Sequence, residues 1–158
     1  MQLPEQLLKS LEFVKGFDKG AFEKVHQSGE QVTSVRFNPA KSLIVNGQWS
    51  INDPVHYSPL TIYSAIFWTS HGHYLTERPS FTFDPLFHAG TYYVQEASSM
   101  FLEQALKQTV DLSKPLKVLD LCAAPGGKST HIQSLISKES LLASNDVIRS
   151  RANVLKDN

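Results

Sequence analysis

The stretch of the chain best suited to chemistry is a glycine turn between an apolar segment and a helical one. Gly126 and Gly127 have no Cβ atom, so a ligand can approach the backbone closely at this turn. A helix that follows such a turn points its free N–H groups at the ligand and favours an anionic group such as a carboxylate. Lys128 adds a positive charge beside it. The turn therefore predicts an anion-binding site.

A second polar group complements the turn. Asp146 follows the next predicted strand, about twenty positions after Gly126, where a carboxylate typically accepts hydrogen bonds from ribose hydroxyls. A carboxylate-binding turn with a ribose-binding Asp suits a nucleoside that carries an amino-acid tail. S-adenosylmethionine is a molecule of this kind, and we predict it as the cofactor.

Two other interpretations of the turn stay open. A phosphate loop has the pattern G-x-x-x-x-G-K-[ST], and Gly127-Lys128-Ser129 fits its end. Cys122 occupies the position of the first glycine, which disfavours a phosphate site because that glycine lets the loop wrap the phosphates. The turn could instead only pack a helix onto a strand, but its combination with Asp146 favours a ligand site.

The elements around the turn predict the start of a doubly wound α/β domain. Short apolar strands alternate with helices of apolar periodicity, as in a Rossmann-like sheet. The predicted strands span 117–122 and 141–145, and the predicted helices span 128–137 and 147–156.

The chain before this region predicts a small α+β module. Apolar residues at helical spacing begin it, and a second helix is capped by Asp18, ends at Gly29 and has Phe22 and Val25 on its inner face. We predict strands at 32–37, 42–45 and 73–77 and a helix at 94–107, whose stripe is Ala97, Phe101 and Ala105 with Met100 and Leu102 beside it. The predicted domains are 1–114, the α+β module, and 115–158, the first part of the Rossmann-like methyltransferase domain.

Composition excludes several other classes of protein. Lys+Arg and Asp+Glu both number 15, so the chain is not basic overall, although a local basic patch suffices for RNA. One cysteine cannot form an internal disulfide or a cysteine-based zinc site. His71, His73 and His88 lack a supporting carboxylate or thiol pattern, so we predict no metal site. No secretory signal or membrane-spanning run is evident, which predicts a cytoplasmic protein without a membrane partner.

Four segments resemble the Nop/Sun family of RNA cytosine-C5 methyltransferases, which includes bacterial enzymes acting on small-subunit ribosomal RNA. The segment 120–128, Asp-Leu-Cys-Ala-Ala-Pro-Gly-Gly-Lys, resembles the family's first cofactor motif, and Ser144-Asn-Asp146 with Ser150-Arg151 resembles the second. The segments 34–39, Ser-Val-Arg-Phe-Asn-Pro, and 90–99, Gly-Thr-Tyr-Tyr-Val-Gln-Glu-Ala-Ser-Ser, resemble two earlier family motifs. The resemblance covers nearly the whole chain.

The resemblance implies roles for individual residues. The predicted cofactor-binding residues are Cys122, Ala123, Ala124, Pro125, Gly126, Gly127 and Lys128 at the methionine and adenosine end, and Asp146 at the ribose. The N-terminal module would contact RNA, chiefly ribosomal RNA with transfer RNA as an alternative. Arg36 and Asn38 would then touch RNA or simply end an exposed strand.

The resemblance also implies that no catalytic residue lies in this chain. Family members attack carbon six of cytosine with one cysteine and release the product with a second, and both lie well downstream in the family. Cys122 is the only thiol and matches neither position, so we predict that the chain alone does not methylate RNA. We expect it to self-associate through uncovered strands or to derive from a longer protein. The alternative is a non-catalytic RNA-binding or ribosome-assembly module.

Overall fold

The computed structural model describes residues 3–41 and 60–158. Between them it describes the backbone of two short paired strands, β2 (Ile44–Val45) and β3 (Gln48–Trp49). Ser42 and Leu43 of the predicted strand 42–45 lie outside the described residues. The chain divides into two compact units, Met1–Val32 and Thr33–Asn158.

The first unit contains two helices, α1 (Glu5–Leu11) and α2 (Lys19–Ser28). The Asp18 carboxylate accepts a hydrogen bond from the Ala21 N–H at 2.9 Å, which satisfies a free amide of the first turn. Gly29 ends α2 with a left-handed φ of 67°, so both predicted ends are confirmed. The predicted inner face is wrong at Val25, which is exposed.

A four-stranded antiparallel sheet with the order β4-β5-β1-β6 organises the second unit. The strands β1 and β5 confirm predictions to within a residue or two, whereas β4 and β6 were not predicted. Their bounds are β1 (Thr33–Phe37), β4 (Ile62–Ala65), β5 (Gly72–Leu75) and β6 (Tyr92–Val94).

The central strand β1 is buried at all five positions. Because side chains alternate along a strand, its two faces serve different purposes. Val35 and Phe37 join Leu75 and Tyr92 in an apolar core. Ser34 and Arg36 are buried on the other face and form hydrogen bonds there. One strand thus supports an apolar layer and a polar one.

The predicted helix 94–107 is two short helices, α4 (Ala97–Met100) and α5 (Leu102–Thr109), preceded by α3 (Pro85–His88). Val94 belongs to β6 instead. The predicted apolar stripe is also wrong, since Phe101 is 55% exposed while Met100 and Glu103 are fully buried. A buried glutamate is invisible to apolar periodicity, and this one is satisfied by Thr69, Ser70 and Lys107.

The last third of the chain confirms the predicted start of a Rossmann-like domain. Strand β7 (Lys117–Asp120) pairs in parallel with β8 (Leu141–Ser144), and α6 (Gly127–Leu135) connects them, with α7 (Arg149–Asp157) after β8. Helix α6 also packs against α4 and α5. The fold is therefore an α+β module followed by the start of a Rossmann-like α/β domain. The predicted boundary between residues 114 and 115 stays a prediction.

None of the described helices is long and apolar enough to cross a membrane. Leu119, Leu121 and Leu141 on the β7–β8 sheet are each more than 60% exposed. This exposure agrees with the expectation of uncovered strands, while self-association stays a prediction.

Candidate cofactor site

The candidate site lies where β7 and β8 end. Parallel strands bring their carboxyl ends to one edge of a sheet, where α/β folds bind ligands. Here two backbone hydrogen bonds link the segments that follow the strands. The Asn145 N–H donates to the Asp120 carbonyl at 2.8 Å, and the Ala123 N–H donates to the Asn145 carbonyl at 2.9 Å. The glycine turn and the segment carrying Asp146 therefore meet at this edge.

The turn needs both of its glycines. Gly126 has a φ of 120°, a conformation that residues with a side chain rarely adopt. A Cβ on Gly127 would lie 3.0 Å from Cε1 of Tyr93, which is closer than ordinary packing allows. Gly126 caps α6 without a side-chain hydrogen bond, so no capping side chain covers the N–H groups of the first turn. This is a cradle of backbone donors that a carboxylate fits.

Asp120 holds the turn by hydrogen bonds, a role that was not predicted from the sequence. Its Oδ2 accepts a hydrogen bond from the Ser129 hydroxyl at 2.7 Å, and its Oδ1 accepts one from the Cys122 N–H at 3.3 Å. The Ser144 hydroxyl donates to Ser129 Oγ at 3.0 Å. The signal available in the sequence was a carboxylate at the end of an apolar strand, directly before a glycine turn.

All the predicted cofactor-binding residues lie at this edge of the sheet, but not all of their side chains are exposed there. Ala123 and Ala124 are buried, and the Ala123 N–H and the Ala124 carbonyl already form hydrogen bonds with Asn145 and Arg151. Cys122, Pro125 and Lys128 are exposed. The turn therefore offers backbone donors, one thiol and one cation.

Asp146 borders a cleft of about 490 Å³ between α6, β8 and α7, together with Ser129, Gln133, Asn145 and Lys156. Its side chain is only 2% exposed, and its Oδ2 lies 3.5 Å from Nη2 of Arg151. Its Oδ1 accepts a hydrogen bond from the Ile148 N–H at 3.0 Å. A carboxylate has about four acceptor positions, so these two contacts leave acceptors over, but the side chain is almost fully covered.

Helix α7 contacts the turn directly. Arg151 Nη2 donates to the Ala124 carbonyl and Asn158 Nδ2 donates to the Pro125 carbonyl, both at 2.7 Å. The Leu155 side chain approaches within 3.3 Å of the position that a Cβ on Gly126 would take. These contacts cover part of the turn with the chain's own side chains.

Arg36 does not fit either role considered for it. It is 3% exposed, so it is neither an RNA contact nor an exposed strand end. Asn38 is half-buried, and its Nδ2 donates to the Gly90 carbonyl at 3.1 Å while its Oδ1 accepts from the Ala40 N–H. Both residues hold protein segments together.

Among the residues that the structure describes, no group of three or more His, Cys, Asp or Glu side chains could hold a metal ion. His88 Nε2 instead lies 2.8 Å from the Thr82 carbonyl.

Comparison with known families identifies both parts of the chain. The sequence model for the N-terminal domain of the 16S rRNA methyltransferase RsmF matches residues 3–97, more than half of the chain. The model for the 16S rRNA methyltransferase RsmB/F matches residues 107–158.

The curated relatives that the chain matches include proteins named ribosomal RNA small subunit methyltransferase F. The chain is 42% identical over 69 residues to ribosomal RNA small subunit methyltransferase F of Shewanella woodyi. It is 40% identical over 70 residues to the protein of that name from Escherichia coli (strain K12 / MC4100 / BW2952). Each match covers 44% of this chain and 14% of the relative.

Solved structures share the fold. The crystal structure of PH0851 superposes on 98% of this chain and 33% of its own, with a TM-score of 0.71 and 23% identity. A methyltransferase homologue protein from Pyrococcus horikoshii superposes on 98% of this chain and 52% of its own, with a TM-score of 0.60 and 24% identity. The chain therefore belongs to the family of the 16S rRNA methyltransferase RsmF, among the Nop/Sun-type methyltransferases that its motifs resemble.

Proposed function

We propose that the chain is the N-terminal part of an S-adenosylmethionine-dependent methyltransferase that forms 5-methylcytosine in small-subunit ribosomal RNA. The observation that carries the proposal is the meeting of two motifs at one sheet edge. The Gly126–Gly127 turn opens α6 directly after β7, and Asp146 follows β8 beside it. Membership of the RsmF family supports the reaction and the substrate class.

The chemistry of the site suits this cofactor. The amino-acid carboxylate would face the first-turn N–H groups of α6, where the helix dipole favours an anion, with Lys128 nearby. Asp146 would accept a hydrogen bond from the ribose at the same edge of the sheet. S-adenosylmethionine supplies the methyl group when it is bound. Gly127 would let the ligand reach the backbone, whereas Gly126 is buried against Leu155 and Asn158.

Catalysis at cytosine would use cysteines that this chain does not contain. Cys122, its single thiol, is exposed in the turn, where we propose that it lines the cofactor. By resemblance to the family, the nucleophilic and product-releasing cysteines belong to later parts of the sheet. RNA is the proposed partner, and residues 1–114 are the proposed RNA-contacting module.

One observation favours the alternative of a non-catalytic RNA-binding module. Arg151 and Asn158 occupy the carbonyls of Ala124 and Pro125 in the turn. These contacts leave less of the turn available to a cofactor, as expected if the chain binds RNA without binding S-adenosylmethionine.

Equilibrium dialysis with radiolabelled S-adenosylhomocysteine tests the proposal. Asp146→Asn keeps the size of the side chain but removes its charge, so we expect affinity to fall roughly tenfold, as for the loss of a hydrogen bond to a charged group. Asp157→Asn is the matched control, since it makes the same change at an exposed aspartate at the end of α7.

The competing functions predict different ligands. Binding of Mg-ATP in place of S-adenosylhomocysteine would identify a nucleotide site and contradict the proposal. Binding of ribosomal RNA without either small molecule would favour the non-catalytic module. Equal affinity of the wild type and Asp146→Asn for S-adenosylhomocysteine would remove Asp146 from the site.

A further inference from the structure

Arg36 on β1 joins the four-stranded sheet to the start of the helix that follows the glycine turn. Its Nη2 donates to Thr130 Oγ1 at 2.7 Å and to the Gly127 carbonyl at 3.4 Å. The Thr130 hydroxyl in turn donates to the Gly126 carbonyl at 2.9 Å. One buried side chain therefore reaches the residues that define the first turn of α6.

The sheet fixes the direction of the Arg36 side chain. Arg36 Nε donates to Gln95 Oε1 at 2.9 Å, and the Ser34 hydroxyl donates to the Gln95 carbonyl at 2.6 Å. A planar guanidinium held at Nε presents its remaining donors in a fixed direction. The segment after β6 thus aims Arg36 at α6.

The same register supplies a second contact to the turn. Arg36 pairs with Tyr93 across β1 and β6. The Tyr93 ring lies against Gly127, where a Cβ would come within 3.0 Å of it. Two neighbouring side chains of the sheet therefore hold the first turn of α6, one by hydrogen bonds and one by packing.

The charge of Arg36 is not neutralised by a direct ion pair. No carboxylate in the described part of the chain forms an ion pair with its guanidinium, and Glu103, which is hydrogen-bonded to Lys107, Thr69 and Ser70, offsets the charge only in part and without direct contact. Burial lowers the pKa of Arg36 to about 10, so it stays protonated at neutral pH. A buried cation is costly unless something compensates it. An anion bound at the first turn of α6 would provide such compensation.

We propose that Arg36 is a positioning residue for the cofactor-binding turn, which it holds in binding geometry through Thr130 and the Gly127 carbonyl while lending it positive charge. This inference rests on the proposed function of the turn. It assigns to a residue of the predicted RNA-contacting module a role in cofactor affinity.

Amide hydrogen exchange on the 158-residue chain tests the positioning without any cofactor. The Thr130 N–H donates to the Gly126 carbonyl at 2.8 Å and reports on the first turn of α6. Arg36→Met should speed its exchange at least about tenfold, because a charged hydrogen bond is lost. Arg36→Lys, which keeps the charge and one donor, should restore part of the protection. Arg78→Met is the control, since Arg78 is exposed and lies outside the site.

The pattern of exchange separates positioning from general stability. Faster exchange confined to the start of α6 supports the proposal, whereas an equal acceleration at β1 and β5 amides, or none at Thr130, would overturn it. Thr130→Val removes the hydroxyl that accepts from Arg36 and donates to the Gly126 carbonyl, and it serves if Arg36→Met does not fold. It should reproduce the local effect, and combining it with Arg36→Lys should add little.

Affinity for S-adenosylhomocysteine tests the link to the cofactor. We expect the dissociation constant of folded Arg36→Met to rise about tenfold, with partial rescue by Arg36→Lys. Unchanged affinity in Arg36→Met would overturn the inference while leaving the proposed function intact. Absence of binding in the wild type would instead contradict the proposed function, and hydrogen exchange would still decide whether Arg36 orders the turn.

Discussion

At the scale of single residues, buried polar groups determine how the two halves of the second unit meet. Glu103 is fully buried and accepts hydrogen bonds from Thr69, Ser70 and Lys107, while His131 Nε2 lies 3.2 Å from its Oε2. Burial raises the pKa of the Glu103 carboxyl, but these donors outweigh burial and hold the pKa well below its usual range. Glu103 therefore stays ionised inside the fold and anchors α5 to the β4–β5 hairpin and to α6.

His131 makes stability sensitive to acid. Burial, helped by the charge of Arg36, lowers the pKa of the imidazole below its value of 6.5 in the unfolded chain. The unfolded state therefore binds more protons between these two pKa values, so stability is present above about pH 6.5 and falls as the pH drops through it. Urea unfolding at pH 7.5 and 5.5 should show the lower stability at pH 5.5.

The variant His131→Gln distinguishes the contribution of His131 to the pH dependence of stability from that of the other histidines. The pKa values of His71 and His73 are also lowered by burial, so the variant should lose only part of the pH dependence. A variant with the full wild-type pH dependence would contradict the role of His131.

At the scale of elements, β5 packs so closely that it needs a glycine. A Cβ on Gly72 would lie 2.4 Å from Cγ2 of Thr69 and 2.6 Å from Sδ of Met100, both in the interior. Gly72 is also the cross-strand partner of Arg36. The close contact of β5 with α4 therefore sets the position of the strand that carries Arg36.

Gly72→Ala should destabilise the chain by about 1–3 kcal/mol, the usual cost of overpacking a core. The measurement is urea unfolding at neutral pH. Gly20→Ala in α2 is the control, because the nearest atom to its Cβ is 3.4 Å away. That variant should be neutral or stabilised by up to about 1 kcal/mol. Equal stability of Gly72→Ala and the wild type would contradict the close packing.

The same scale shows which elements the sequence could predict. The β7–turn–α6–β8 unit was predictable because apolar strands, glycines and helical periodicity agree along it. The break between α4 and α5 at Phe101 and the strand at Val94 were not predictable. The buried face of these helices carries Met100 and Glu103 rather than an apolar stripe. The structural role of Arg36 was missed for the same physical reason. The sequence does not show that Arg36 is buried or that Gln95 and Thr130 surround it.

At the scale of the whole molecule, this chain contains segments that resemble the cofactor motifs of its family, while the matched segments span 14% of the curated relatives. Leu119, Leu121 and Leu141 leave an apolar face on the β7–β8 sheet. We therefore do not assign the complete activity of these relatives to the 158 residues alone.

We predict that the 158-residue chain transfers no methyl group to RNA, because its single thiol, Cys122, lies in the cofactor turn. The assay is transfer of tritium from labelled S-adenosylmethionine to small-subunit ribosomal RNA. Cys122→Ser is the comparison variant. Transfer by the wild type that disappears in Cys122→Ser would show that Cys122 is catalytic after all.

The most direct test of the account is a titration of the ¹⁵N-labelled chain with S-adenosylhomocysteine, followed by amide chemical shifts. We expect saturable shifts of the amides of residues 122–124 and 126–128 and of Asp146, with the amides of the apolar core around Val35 unaffected. Shifts produced by Mg-ATP at the same amides, or no saturable shift at the turn while the core amides show an intact fold, would contradict the assignment of this edge as the cofactor site.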